Sequence, residues 1–155
     1  MRNRELVRQK DRLDWLFDRV ATAAGDDAEL KSHWARYLCV VVCGLIENGV
    51  EEILLEYTNK HSDTNVSNFV SRDLKQFQNP KVGKIAELLG SFSRTWQNEI
   101  EKNFDDDLKA AVDSVVTSRH GIAHGGLTGI TFVTIQNYYK RVVEFTDRLE
   151  SLVNP

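Results

Sequence analysis

Apolar side chains recur at steps of three and four residues along most of the chain, which is the period of an amphipathic helix. One helix is predicted for residues 3–24, and a longer and more apolar one for residues 27–57 is expected at the centre of the molecule. The inward stripe of the first helix is Leu6, Leu13, Phe17, Val20 and Ala24. No strand-like alternation competes with this pattern, so the sequence predicts an all-α fold, a compact up-and-down helical bundle.

Several short elements are predicted between the second long helix and residue 105. They are, in order, a polar loop at residues 60–65, helices at 66–77 and 81–89, and a helical stretch at 92–104. The helix at 66–77 is expected to turn Phe69 inward, and Gly90 is expected to end the helix that precedes it. A last amphipathic helix follows Ile130, so that residues 1–155 are expected to form a single domain.

Residues 119–126 read RHGIAHGG and hold three side chains that can carry positive charge. The helix predicted for residues 105–118 turns Leu108, Val112 and Val115 inward, and Arg119 falls at the next inward position. An unpaired buried charge costs on the order of several kcal/mol, so this guanidinium needs a carboxylate, a phosphate or a water-filled cleft. A structural ion pair is one explanation of Arg119, and a ligand site is the other.

The spacing of the two histidines points to one surface. His120 and His124 are four residues apart, so both imidazoles project from nearly one face of a helix, and Gly125 begins a glycine pair typical of a helix end. A cluster of Arg and protonatable His close to the backbone suits a phosphodiester. Glu47, on the predicted central helix, either turns inward and pairs with Arg119 or lies at the surface beside other acidic residues.

These residues resemble the signature of the HEPN superfamily. The features are an Arg followed after four residues by a His, a polar His120 directly after Arg119, and a small Ala-His-Gly ending. Within the superfamily, the chain is most similar to the RiboL-PSP type, and this resemblance extends over most of the chain from about Trp34 onward. The other matching segments are the helix with Trp34, Tyr37 and Glu47, residues 88–93, and the helix with Tyr138 and Tyr139.

The resemblance implies a HEPN-type bundle and a chemistry. Active members of the superfamily are metal-independent endoribonucleases that work as dimers, so it implies an RNA substrate, a homodimer and no cofactor. It also implies that Arg119 and His124 are catalytic and that His120 orients Arg119 or the scissile phosphate, while Glu47 would support the site. The toxin–antitoxin and phage-defence branches add an antitoxin or a neighbouring defence protein as a partner. One branch carries a Tyr where this chain has Gly126, so regulation by modification at that Tyr is not supported.

Two other functions remain open from the sequence. A non-catalytic HEPN module would use the same groove for RNA or nucleotide binding, or only for dimerisation. Alternatively, His120 and His124 have a spacing found in zinc sites, although Gly121 stands where a zincin has its Glu and a third ligand is missing. The triple Asp at 105–107 is expected to cap the motif helix, with a divalent metal site as the alternative.

The overall composition limits how the protein could meet RNA. A formal net charge of −3 gives no global attraction to nucleic acid, so contact would depend on a local basic patch. Cys39 and Cys43 lie one helical turn apart and fit small core residues of a reduced, cytoplasmic protein. The N-terminal residues do not resemble a signal peptide, and the longest apolar run, residues 37–46, is too short to span a bilayer, so no membrane partner is expected.

Overall fold

Helices account for most of the chain in a computed structural model, which describes residues 1–126 and 128–155. Over these residues the fold is all-α, with seven helices and no strand. The helices are α1 (Arg4–Ala24), α2 (Ala28–His61), α3 (Thr64–Leu74), α4 (Val82–Phe92), α5 (Arg94–Asn103), α6 (Asp106–Ala123) and α7 (Phe132–Val153). No helix in the described ranges is long and apolar enough to cross a membrane.

The two longest helices near the N-terminus begin at side-chain caps. Asn3 Oδ1 accepts hydrogen bonds from the backbone N–H groups of Glu5 and Leu6, at 3.0 and 3.2 Å, where α1 begins. Asp27 Oδ1 accepts from the N–H of Leu30 at 2.9 Å where α2 begins. These caps satisfy donors that the first helical turn leaves unpaired, and they explain why both helices start where the sequence predicts.

The long helix α2 forms the centre of the bundle and contacts α1, α3, α6 and α7. The helices α4 and α5 pack against each other, and α4 also contacts α6. Phe104 meets Phe145 edge-to-face at 5.4 Å, and Arg141 pairs with Asp107 at 3.2 Å, so α6 and α7 run antiparallel. The C-terminal end of α6 therefore lies at the same end of the bundle as the N-terminal end of α7.

Three of the local predictions were wrong. The helix α2 continues through residues 60 and 61, where the His61 ring stacks on Tyr57 with centroids 4.3 Å apart. Phe69 is 61% exposed rather than inward, because α3 packs against α2 alone among the larger helix contacts. Gly90 does not end α4, which continues to Phe92. The short helices between α2 and the motif helix are otherwise confirmed.

Candidate functional site

The candidate site is built on the last turn of α6. This helix carries Leu108, Val112 and Val115 on its buried face, as predicted, and it ends at Ala123 with His124 as the C-cap. Beyond the cap, Gly125 has a φ of +71°, in the left-handed region that favours glycine. The N–H of Gly125 donates to the carbonyl of residue 122 at 3.1 Å, and that of Gly126 donates to the carbonyl of residue 121 at 2.8 Å. These two hydrogen bonds form a Schellman motif, which fixes the end of the helix that carries the histidines.

The two motif histidines form an adjacent pair at the surface. The rings of His120 and His124 have centroids 4.4 Å apart and planes inclined by 58°. Both residues are exposed, and the C-cap N–H of His124 donates to the carbonyl of His120 at 3.2 Å. The structure therefore brings together the two imidazoles that the four-residue spacing predicts on one face, within reach of one bound group.

Arg119 is half-buried next to this pair. Among the described residues, no carboxylate oxygen lies within 4.0 Å of its guanidinium, and Glu47, also half-buried, does not form the direct ion pair considered for it. Both charges nevertheless act on Cys43. The pKa of this thiol is raised to about 12, mainly by burial and also by the charge of Glu47, while the charge of Arg119 acts in the opposite direction. Glu47 and Arg119 therefore lie near one thiol of α2 without touching.

The small residues of the motif make room for the chain itself. A Cβ built at Gly121 would come within 3.0 Å of the methyl group of Thr128, so the segment after the motif returns over this glycine. The hydroxyl of Thr128 is buried and has no hydrogen-bond partner in the described part of the chain. The space at Gly121 therefore holds the returning segment, and the open surface of the site lies on the histidine side.

The triple Asp at the other end of α6 is engaged by cations. Asp105 pairs with Arg148 at 2.8 Å, Asp106 with Lys109 at 2.9 Å, and Asp107 with Arg141 at 3.2 Å. Asp105 is the N-cap residue, although its side chain does not bond to the helix backbone. In the described ranges, no group of three or more His, Cys, Asp or Glu side chains is arranged to hold a metal ion.

One polar residue on α2 was not singled out from the sequence. Arg36 is half-buried on α2, and its Nε atom is buried without a hydrogen-bond partner among the described residues. It lies one turn before Cys39, whose Sγ lies 3.5 Å from the carbonyl of Val115 on α6. The available signal was an Arg within the mostly apolar stretch around Trp34 and Tyr37, whose rings meet edge-to-face at 5.7 Å.

The exposed pair of imidazoles at the helix end can accept or donate protons, and Arg119, the residue directly before His120, adds a positive charge that can attract an anionic oxygen. The family model described as RiboL-PSP-HEPN matches residues 4–154, almost the whole chain. No curated protein and no solved structure matches the chain. The matched range includes the motif, the central helix and the last helix. The chain therefore belongs to the RiboL-PSP type of the HEPN superfamily.

Proposed function

We propose that this protein is a metal-independent endoribonuclease of the toxin or defence type, which cleaves RNA in a cleft formed by a homodimer. Membership in the HEPN superfamily is consistent with a function on RNA. The observation that carries the proposal is the arrangement of a half-buried Arg119, without a carboxylate partner in the described residues, beside the exposed pair of His120 and His124. These residues offer positive charge and proton transfer at the same helix end.

The chemistry requires three groups. A general base removes the proton of the ribose 2′-OH, and the resulting oxygen attacks the adjacent phosphorus. The bond from phosphorus to the 5′-oxygen breaks, and a general acid protonates that leaving oxygen. The products are a 2′,3′-cyclic phosphate and a 5′-hydroxyl end. Arg119 stabilises the negative charge of the pentavalent transition state, because a fixed cation is most effective where charge develops.

A two-fold dimer supplies the acid and the base from two copies of one residue. In this scheme, His124 of one copy is neutral and takes the proton, while His124 of the other is protonated and gives one. His120 orients Arg119 or the scissile phosphate, and Glu47 supports the site from α2. Because one imidazole must be neutral and its mate charged, the rate should have a bell-shaped dependence on pH.

The test is cleavage of a mixed-sequence single-stranded RNA in excess EDTA. Wild-type protein should produce fragments with cyclic-phosphate ends, and Arg119→Ala or His124→Ala should slow cleavage by about 10²–10⁴-fold, the usual contribution of such groups. His61→Ala is a matched control, because His61 is also an exposed histidine but is the last residue of α2 and lies outside the motif. Unchanged far-UV circular dichroism would show that each variant still folds.

Three results would contradict the proposal. Cleavage that stops on chelation would indicate a metal site. Intact RNA with all proteins, together with a shift in RNA mobility, would favour the non-catalytic binding module. Loss of activity in His61→Ala equal to that in His124→Ala would show that the motif is not the site of the chemistry.

A further inference from the structure

The outer face of α2 carries apolar side chains that no described element covers. Tyr37 is 50% exposed and Val40 is 41% exposed. Gly44 follows one turn later, and a Cβ built there meets nothing within 4 Å. These positions are separated by three and four residues, so they form one stripe along the helix. Another helix could approach closely at Gly44, because no side chain of its own or of a neighbour fills that space.

An arginine and a histidine stand at one end of this stripe and two carboxylates stand at the other; the histidine, His33, also lies 3.9 Å from Glu29 on its own helix. His33 and Arg36 lie toward its N-terminal end, and Glu47 and Glu51 lie toward its C-terminal end. They continue the same spacing of three and four residues and therefore share the face. We call the set formed by His33, Arg36, Tyr37, Val40, Gly44, Glu47 and Glu51 the α2 face.

This order of charges makes two copies of α2 complementary to each other when they pack antiparallel. In an antiparallel pair whose two-fold axis lies level with Val42, position 33 of one copy is opposite position 51 of the other, and position 37 is opposite position 47. Val40 is then opposite Gly44 of the other copy. Arg36 comes opposite position 48, within one residue of Glu47 on the second copy. The basic end of each α2 face is then opposite the acidic end of the other, and Val40 packs against Gly44.

A second, independent observation concerns Arg36. Its Nε atom is buried but has no hydrogen-bond acceptor in the described part of the chain. A buried donor without an acceptor is unfavourable, and one attached to a cation more so. Glu47 is half-buried, and none of the described cations lies within 4.0 Å of it. Because Nε is already buried in the single chain, a second copy would offer an acceptor to the exposed part of the half-buried Arg36 side chain, and it would offer a cation to Glu47.

The α2 face borders the helix that carries the motif. The contact between Cys39 Sγ and the carbonyl of Val115 fixes α6 against α2, and Arg119 follows Val115 by one turn on α6. Arg36 and Glu47 lie on the edge of the α2 face that is nearer to this contact, by their helical positions relative to Cys39. A two-fold axis at the centre of the face would therefore bring the motifs of two copies toward one another.

We propose that a second copy of the chain packs against the α2 face, with the two α2 helices antiparallel and with Arg36 of each copy paired to Glu47 of the other. This inference rests on the proposed function, because it names the surface that forms the homodimer and completes the cleft. It goes beyond that function by specifying the residues, the helix direction and the charge pairs of the interface.

The test exchanges the charges one at a time. Arg36→Glu and Glu47→Arg should each be monomeric at a concentration at which the wild type is a dimer, because each places like charges opposite each other at two symmetry-related contacts. We expect the dissociation constant to rise by about 100-fold, with about tenfold from each contact. An equimolar mixture of the two variants should form a dimer again, because each contact in the mixed pair then joins opposite charges. The measurement is molar mass by light scattering or sedimentation.

Two further variants separate the interface from folding. Gly44→Lys should also be monomeric, since a Cβ at this position meets no atom within 4 Å in the single chain, whereas the Lys side chain would occupy the closest approach of the pair. Glu87→Arg is the matched control, because it makes the same charge change at an exposed position of α4 and should remain a dimer. Far-UV circular dichroism should match the wild type in every variant.

The outcomes distinguish this inference from the nuclease proposal. A monomeric wild type, or dimers that persist in Arg36→Glu, Glu47→Arg and Gly44→Lys, would overturn the inference. So would a mixture of the two charge variants that stays monomeric. A wild-type dimer that follows all the expected changes but leaves RNA intact supports the interface while refuting the proposed nuclease.

Discussion

The end of the motif helix depends on a single backbone conformation at Gly125. Its φ of +71° lies in a region that L-residues with a Cβ rarely adopt. A Cβ built at this position meets no atom within 4 Å, so a substitution here would cause no clash with neighbouring residues. Replacing Gly125 by Ala therefore isolates the cost of the left-handed conformation at the helix end that presents His124.

The magnitude follows from two opposing effects. A left-handed conformation costs a residue with a Cβ about 1–2 kcal/mol. Alanine also restricts the unfolded chain, which offsets about 0.4–1 kcal/mol of that cost. We therefore expect Gly125→Ala to lower the free energy of unfolding by roughly 1 kcal/mol, and the melting temperature by about 2–4 °C for a chain of this length. Gly125→Asn should lose less, because Asn adopts this conformation more readily.

The assay is urea unfolding at one fixed protein concentration, because any association of the chain would add to the apparent stability. Gly83→Ala is the matched control. Gly83 lies inside α4, it has no atom within 4 Å of a built Cβ, and its φ is not positive. The same chemical change there should stabilise the protein by about 0.4–1 kcal/mol. A neutral or stabilising effect of Gly125→Ala would show that the left-handed conformation at position 125 carries no cost for a residue with a Cβ, which would refute this prediction.

Two further predictions concern buried groups away from the motif. Glu150→Ala should lower the free energy of unfolding by about 2–4 kcal/mol, because each donor that is left unpaired costs about 1–3 kcal/mol. The buried Glu150 carboxylate accepts hydrogen bonds from the backbone N–H groups of Arg2 and Asn3 at 2.7 and 2.5 Å. Glu150→Gln keeps one acceptor oxygen and should lose less stability in the same urea experiment. Burial raises the pKa of Cys39 to about 11 and is the main cause that raises the pKa of Cys43 to about 12. The stability that the protonated thiols contribute should be fully present below the unfolded thiol pKa near 9. It should fall as the pH rises from there toward the two folded pKa values, at most by about 1.4 kcal/mol per pH unit for each thiol. Iodoacetamide should label these thiols in urea but not in the native protein, and equal labelling rates in both would contradict their burial.

The long helices could be predicted from the sequence because their own residues determine them. Leu6 and the other four positions of the predicted α1 stripe are all buried, since a regular spacing over six turns leaves only one face that can meet the core. The glycine pair likewise predicted the end of α6, and Gly125 does adopt the left-handed conformation. In both cases the signal lies within the element itself.

The predictions failed where contacts between residues far apart in the sequence determine the structure. Glu150, about which the local pattern says nothing, is only 2% exposed, because the backbone N–H groups of Arg2 and Asn3 donate hydrogen bonds to it. Phe69 fits an inward stripe of α3 but is exposed, because periodicity does not show whether another helix covers the face. Gly90 continues its helix, and the Gln97 side chain of the neighbouring α5 occupies the space beside it. Partners more than a few residues away are not encoded in a local pattern.

The same limit applies to the candidate site and links it to the α2 face. The four-residue spacing predicted that the two histidines share one face, and their rings are adjacent. The sequence left open whether Glu47 pairs with Arg119 or lies at the surface, and in the described residues no carboxylate lies within 4.0 Å of the Arg119 guanidinium. A single chain thus leaves both imidazoles exposed, and water screens their charges and that of any phosphate they meet. Electrostatic stabilisation of a transition state is strongest where water is excluded. In the pair proposed for the α2 face, a second motif would lie toward this surface, and the exclusion of water between the two copies would strengthen the interaction of these cations with a phosphate.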